Sequence, residues 1–281
     1  MNRGPDELGK ALLSLIRGRP AEVRDWQGLR DLALRHGVIG LLYPRVGSYE
    51  GRAALFRDYA SQAGNTLAHM ALFSFLREKA PCFLPLKGAS LLARGLYAPQ
   101  ERPLLDLDIL VRPEHIPAFL RLLSASGFSE ITSSRKGLVL RKGRINLDLH
   151  VYPVARELFV PPEKLWARSR EGLLSPEDDL IITAAHAALA SFTFGPRLIW
   201  KIDLERLMSL ADPEKALRLA RAVGLEACLT TLLFAPDEDI VRGKRRPSRL
   251  RKLSVSWRAG ANKGQRALCI VRAGWERVKR R

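Results

Sequence analysis

Cysteine is scarce in this chain. Cys82, Cys228 and Cys269 are three in 281 residues, an odd number with no framework or metal-type spacing. That argues against a disulfide-stapled scaffold and fits a reduced compartment, with the three thiols serving as small buried hydrophobes. His36, His69 and His115 show no ligand spacing with cysteines or with one another, so no zinc site is assigned. Long apolar runs are also missing. The longest, residues 180–192, is about 13 residues and carries His186, against roughly 20 needed to span a bilayer. The N-terminus sets Asp6 and Glu7 ahead of a very short apolar segment, which is not a secretory leader. These absences point to a soluble, cytoplasmic protein. Internal repeats and low-complexity segments are lacking as well.

Acidic residues are in short supply, 29 Asp/Glu against 47 Lys/Arg, giving a net charge of +18. The excess is unevenly spread. Residues 236–281 hold 15 Lys/Arg and 4 Asp/Glu, a net of +11 that leaves +7 for residues 1–235. The tail 242–281 interleaves its cations with Leu250, Leu253, Val255 and Trp257. It suits a solvated end, contact with RNA phosphates, or an anionic membrane surface into which Trp257 and Trp275 dip. Apolar content of 47% and charge of 27% describe a globular chain rather than a disordered one.

Periodicity divides the sequence into segments. Residues 1–80 read as helices: Trp26, Leu29, Leu32, Ala33 and Leu34 have helical spacing, with His36–Val38 as a stop. A second pattern runs from Arg52 to Lys79 and breaks at Pro81. Residues 81–160 switch period. "CFLPLKG" predicts a short strand ending at Gly88, and "ASLLARGLY" a helix behind it. Residues 104–112 predict a strand, and "PEHIPAFLRLLSASG" a helix closed by Gly127. "KGLVLRKGRINLDLHVYP" predicts a hairpin turning near Lys142-Gly143. Its second strand sets Ile145, Leu147 and Leu149 on one side and Asn146, Asp148 and His150 on the other. Residues 161–235 return to helices, opened by Ser175 as N-cap with Pro176 behind it. Residues 236–281 form the basic tail.

The stretch "RPLLDLDILV" places Asp106 and Asp108 two apart in an apolar run. A strand alternates its faces, so both carboxylates share one side and repel unless a cation lies between them. Asp148, on a later strand, adds a third acid to the same small sheet. Hard divalent ions take such oxygen ligands and keep positions open for phosphate oxygens. Upstream, Gly88 permits a tight strand-to-helix turn where amides and the Ser90 hydroxyl face a phosphate. Lys87 and Arg102 add positive charge at that edge, either toward phosphates or as internal partners of the aspartates. His150 shares a face with Asp148 and suits a substrate contact or a structural hydrogen bond. His186, among alanines in mid-helix, reads first as a core histidine and second as a substrate contact, and Asp203 as a helix salt-bridge partner.

In this order, "LKGAS … Y … R … DLDILV … LDLH" resembles the nucleotidyltransferase superfamily of the DNA polymerase β kind, closest to a bacterial family of uncharacterised nucleotidyltransferases. The likeness runs from about Leu84 to about Leu233 and includes a His186…Trp200…Asp203 stretch. The turn departs from the superfamily's Gly-Ser pattern, and its distance to the first aspartate is longer. The resemblance implies an α+β fold: a small mixed β-sheet core flanked by N-terminal and C-terminal helices. It implies Mg²⁺ or Mn²⁺ on Asp106, Asp108 and Asp148, with the triphosphate on Gly88 and Ser90, beside which the charges of Lys87 and Arg102 suit further nucleotide contacts. The activity implied is transfer of a nucleoside monophosphate from an NTP, ATP first, to a hydroxyl or phosphate of a small or sugar-like acceptor. Two further readings stand beside it: toxin-like nucleotidylation of RNA or protein, and a non-catalytic nucleotide-binding member of a biosynthetic operon.

Overall fold

The computed structural model describes residues 5–134, 137–154 and 160–242. Helices α1 (Pro5–Ile16), α2 (Trp26–His36), α3 (Ile39–Leu42) and α4 (Tyr49–Lys79) lead the chain. Asp25 caps α2 by accepting from the Gly28 amide, and Gly37 closes it in the left-handed conformation at φ 69°, as a β-carbon-free residue can. Ser48 caps α4, which begins three residues earlier than the apolar pattern predicts.

A five-stranded sheet follows in the order β1-β2-β5-β4-β3. It comprises β1 (Phe83–Pro85), β2 (Leu107–Val111), β3 (Ser129–Ser134), β4 (Gly137–Lys142) and β5 (Ile145–His150). The β2–β5 pair is parallel and the others are antiparallel, so the sheet is mixed. Helix α5 (Lys87–Ala93) joins β1 to the loop before β2, and α6 (Ile116–Ala125) covers the crossover to β3. Strand β3 is absent from the sequence reading. Its "SEITSS" is polar and mostly exposed, since an edge strand with no covered face has no apolar alternation to betray it.

Each face of the sheet has its own core. Leu107, Ile109, Val111, Leu147 and Leu149 point to one side, where they meet Leu72, Phe73 and Leu76 of α4 and Phe119 and Leu123 of α6. Leu84 and Leu110 point to the other, into a larger cluster. That cluster combines α1–α3 with α7 (Pro162–Arg168), α8 (Pro176–Phe194), α9 (Leu198–Met208), α10 (Pro213–Ala222), α11 (Glu226–Leu233) and α12 (Asp237–Val241). Helices from the two ends of the described residues therefore share one core, sealed by α1 against α12 and by the Lys201–Asp237 ion pair at 2.6 Å. The fold is α+β, as expected. Among the described residues, no helix is long and apolar enough to cross a membrane. Cys228 is buried as expected, but Cys82 is exposed, because it precedes β1 at the surface; Cys269 lies outside the described residues. So does the basic tail from residue 243 onward.

Candidate active site

Parallel pairing of β2 with β5 sets Asp108 opposite Asp148 and Leu110 opposite His150. Residues in register on neighbouring strands share a face, and this is the face that looks toward the helices rather than the α4–α6 core. One ligand atom each from Asp108, Asp148 and His150 falls within 4.8 Å of the others. The third acid is placed differently from the sequence expectation. Strand β2 begins at Leu107, so Asp106 sits in the bend just before it rather than on the strand. It still lines the same cleft as Asp108.

The loop carrying Asp106 is pinned from several directions. From α4, Thr66 donates its hydroxyl to the Arg102 carbonyl at 3.3 Å and accepts the Leu104 amide at 3.0 Å, while the Asn65 side chain donates to the Leu104 carbonyl at 2.5 Å. Asn146 of β5 donates its side-chain amide to the Leu105 carbonyl at 3.2 Å. Fully buried His69 ties α4 to β5, its Nδ1 against the Asn65 carbonyl at 2.8 Å and its Nε2 taking the Asn146 amide at 3.3 Å. Sequence reasoning missed all four of these positioning residues. The one available signal was a polar cluster, Asn65, Thr66 and His69, at helical spacing within an otherwise amphipathic helix.

Lys87 and an imidazole answer the aspartates. Lys87 Nζ lies 2.5 Å and His150 Nε2 2.7 Å from the same Asp108 oxygen. Burial opposes ionisation of Asp108, yet Lys87 and His150 prevail and hold its carboxyl far below the usual range. Asp106 goes the other way. The negative charge of Asp108, then burial, push it up to about 7. One acid is satisfied and its neighbour is not, the pattern left when a shared face holds more negative charge than its fixed cations offset. The remaining donors fit a hard divalent ion: carboxylate oxygens dominate, with an imidazole beside them whose Nδ1 is buried and has no hydrogen-bond partner among the described residues. Asp106, Asp108 and Asp148, with His150 beside them, are the residues that could hold it.

Lys87 reaches Asp108 from a left-handed backbone, φ 54°, a costly conformation for a residue with a side chain. Gly88 follows it, and its missing side chain has a steric reason: a β-carbon there would lie 2.7 Å from Leu104 Cδ2. Two expected phosphate ligands are otherwise engaged. Ser90 is fully buried and gives its hydroxyl to Asp179, which also takes Arg94 at 3.0 Å. The short helix turns that hydroxyl away from the cleft, so Ser90 braces α5 against α8. Arg102 does line the cleft, but its guanidinium forks onto Asp203 through Nε at 2.9 Å and Nη2 at 2.8 Å. Tyr97 completes that network by donating to Asp203 at 2.8 Å, and burial pushes its phenol up. Asp203, expected as a helix salt-bridge partner, pairs with Arg102 and is the buried anchor of the Arg102 loop.

Opposite the sheet, α8 and α9 form the other wall of a cleft of about 300 Å³. Thr183, His186, Ala190 and Phe194 follow one another along α8 at helical spacing, and Arg197 and Trp200 continue the wall. His186 is therefore at the site, edge-on to Trp200 at 6.2 Å between centroids. Burial, and then the charge of Lys87, bring its pKa down to about 3, so the ring is neutral near pH 7. Tyr97, Arg102, His186, Trp200 and Asp203, widely separated in sequence, all meet around this one cleft or the network that holds it. A sequence model of an uncharacterised nucleotidyltransferase family matches residues 22–236, which take in the lead-in helices, the sheet and both walls of the cleft. The chain belongs to this nucleotidyltransferase family. Membership gives the paired aspartates and the cleft a shared setting: a transferase that handles nucleotides. Neither a curated protein nor a solved structure matches the chain.

Proposed function

We propose that the protein moves a nucleoside monophosphate from an NTP, ATP first, onto a hydroxyl or phosphate of a small acceptor, releasing pyrophosphate. One observation carries this reading: Asp108 and Asp148 are in register on adjacent parallel strands, with Asp106 at the strand's mouth in the same cleft as Asp108. The family match supports it independently.

Asp106, Asp108 and Asp148 hold Mg²⁺ or Mn²⁺, which when bound polarises the α-phosphate and neutralises charge on the leaving pyrophosphate. Asp106, held protonated to about pH 7 by the charge of Asp108 and by burial, would be a ligand once deprotonated. Lys87, paired with Asp108 at 2.5 Å and lining the same cleft, would supply positive charge to the phosphates. Gly88 lets the chain pass close beneath the phosphates. Asp148 lies across from Asp108, placed to take the proton of the acceptor hydroxyl as it attacks phosphorus. His150 steadies Asp108, and neutral His186 contacts the substrate from the opposite wall. Thr66, Asn65 and the Arg102–Asp203 fork keep the Asp106 loop from yielding when the charges change.

The test is metal-dependent pyrophosphate release from each of the four NTPs by wild type and by the Asp106→Asn/Asp108→Asn double variant. Turnover by wild type that the double variant lacks supports the proposal. Equal turnover by both shows that other carboxylates do the work. Nucleotide-dependent thermal stabilisation without pyrophosphate release reassigns the chain as a nucleotide-binding protein.

A further inference from the structure

Three cations line the cleft: Lys87, Arg102 and Arg197. Lys87 is committed to Asp108 and Arg102 to Asp203. Arg197 is different. Its Nε donates to the Arg35 carbonyl at 2.9 Å and its Nη2 to the Leu34 carbonyl at 3.4 Å, while the guanidinium lies over the Trp200 ring at 5.6 Å. No carboxylate pairs with it among the described residues, and Nη1 makes no hydrogen bond there. Asp203 is near enough for its field to reach Arg197, but that carboxylate is already held by Arg102 and Tyr97. Burial, and then the neighbouring charge of Arg102, lower the pKa of Arg197 from its ordinary value. Its charge is therefore exposed to the cleft with little to offset it.

The fold also holds this side chain ready. Two bonds to the end of α2 and the Trp200 face fix the guanidinium plane, so a ligand need not order it. Gly37 lets it approach: a β-carbon there would lie 3.0 Å from Nη2. The same wall offers an unpaired buried hydroxyl, Thr183 Oγ1, and across the cleft the Gln62 Oε1 has no partner either. Polar atoms without partners beside an unpaired, pre-set cation mark a site built for an anionic polar ligand.

We propose that Arg197 is the residue that binds the triphosphate tail of the nucleotide, from the α9 wall opposite the aspartates. The inference rests on the nucleotidyltransferase reading of the cleft and adds a residue that neither motif nor spacing indicates. Asp106 and Asp108, which would hold a divalent ion with Asp148, line the sheet side of the cleft, and the guanidinium would take the tail's oxygens from the α9 wall. In that arrangement Lys87 need not carry the tail alone, and the engagement of Arg102 with Asp203 costs nothing in binding.

The test uses the full chain with Mg²⁺ and three probes: ATP, inorganic tripolyphosphate and AMP, their affinities measured by calorimetry for wild type, Arg197→Gln and Arg197→Lys. In the glutamine variant, ATP and tripolyphosphate should weaken roughly ten- to hundredfold, as loss of a charged hydrogen-bond donor implies, while AMP changes less than about threefold. The lysine variant should recover part of the loss, which a purely structural tether to α2 would not produce for tripolyphosphate alone. Unliganded melting temperatures separate a folding defect from a binding defect. Should the glutamine variant not fold, Arg197→Met, whose stem still packs on Trp200, replaces it under the same criteria. Tripolyphosphate binding unchanged in the substituted protein overturns the inference and leaves the nucleotidyltransferase reading intact. Wild type that binds neither ATP nor tripolyphosphate overturns both.

Discussion

Replacing Asp106 with asparagine should make the metal-free protein more stable while abolishing its metal-dependent activity. Asp106 is raised from the ordinary carboxylate value to about 7, first by the charge of Asp108 and then by burial. The folded state thus binds its proton more tightly than the unfolded chain. The sign follows: the contribution is favourable and complete below about pH 4, and it is lost as pH rises to about 7. Above that, the folded protein carries a fixed penalty. A difference of about three decades in proton affinity corresponds to about 4 kcal/mol at most. Asp106 keeps some contact with water, and a buried amide has a desolvation cost of its own, so about 2 kcal/mol should remain as a gain. For a domain of this size that is roughly 4–8 °C in melting temperature. The assay is thermal denaturation of wild type and Asp106→Asn in chelator at pH 5 and pH 8. The variant should gain roughly a third of the increment at pH 5 and nearly all of it at pH 8, and added Mg²⁺ should stabilise wild type alone. A variant that melts lower than wild type at pH 8 would refute the reasoning, because Asp106 would then be a net stabiliser without metal.

Three other substitutions have outcomes set by the same contacts. Asp108→Asn leaves Lys87 buried without its partner, so it should cost about 3–5 kcal/mol in chelator, opposite in sign to Asp106→Asn although both lose turnover. Denaturant unfolding of the two side by side checks the contrast. Arg102→Lys keeps the charge but not the fork onto Asp203. It should cost about 2 kcal/mol or more and raise the KM for NTP by loosening the Asp106 loop, as steady-state kinetics would show. Gly137→Ala would set a β-carbon 1.7 Å from the Leu149 carbonyl at φ 149°, costing about 3 kcal/mol or more. Because Leu149 adjoins His150, circular dichroism melts and metal affinity should fall together.

Legibility from sequence followed burial. The alternation Ile145–Asn146–Leu147–Asp148–Leu149–His150 marks β5 because one face is packed against α4 and α6 and the other carries chemistry. Edge strand β3 has no packed face, and its polar sequence carries no period. The D-x-D pattern located the acids, but not that Asp106 falls outside the strand, since an apolar run extends smoothly from Leu104 through Val111. Lys87 and Arg102 were recognisable as charges near the site. Pairing of Lys87 with an aspartate was among the expectations; the partner of Arg102 was not, because Asp203 reaches it from a helix about a hundred positions later and no local spacing encodes that. Arg197 was missed for a related reason: its significance lies in the partner it lacks, which appears only once every nearby carboxylate has been accounted for.

The core shared by α1–α3 and α7–α12 has a consequence for how the protein comes into being. During synthesis the aspartate-bearing strands leave the ribosome long before α8 and α9, so the sheet waits with one apolar face and three acids uncovered. Only when α8 and α9 arrive is the opposite wall of the cleft supplied, and α12 then packs against α1. A nascent chain that ends before α8 therefore has the acids without the chamber, and the cleft is complete only in molecules made through α9.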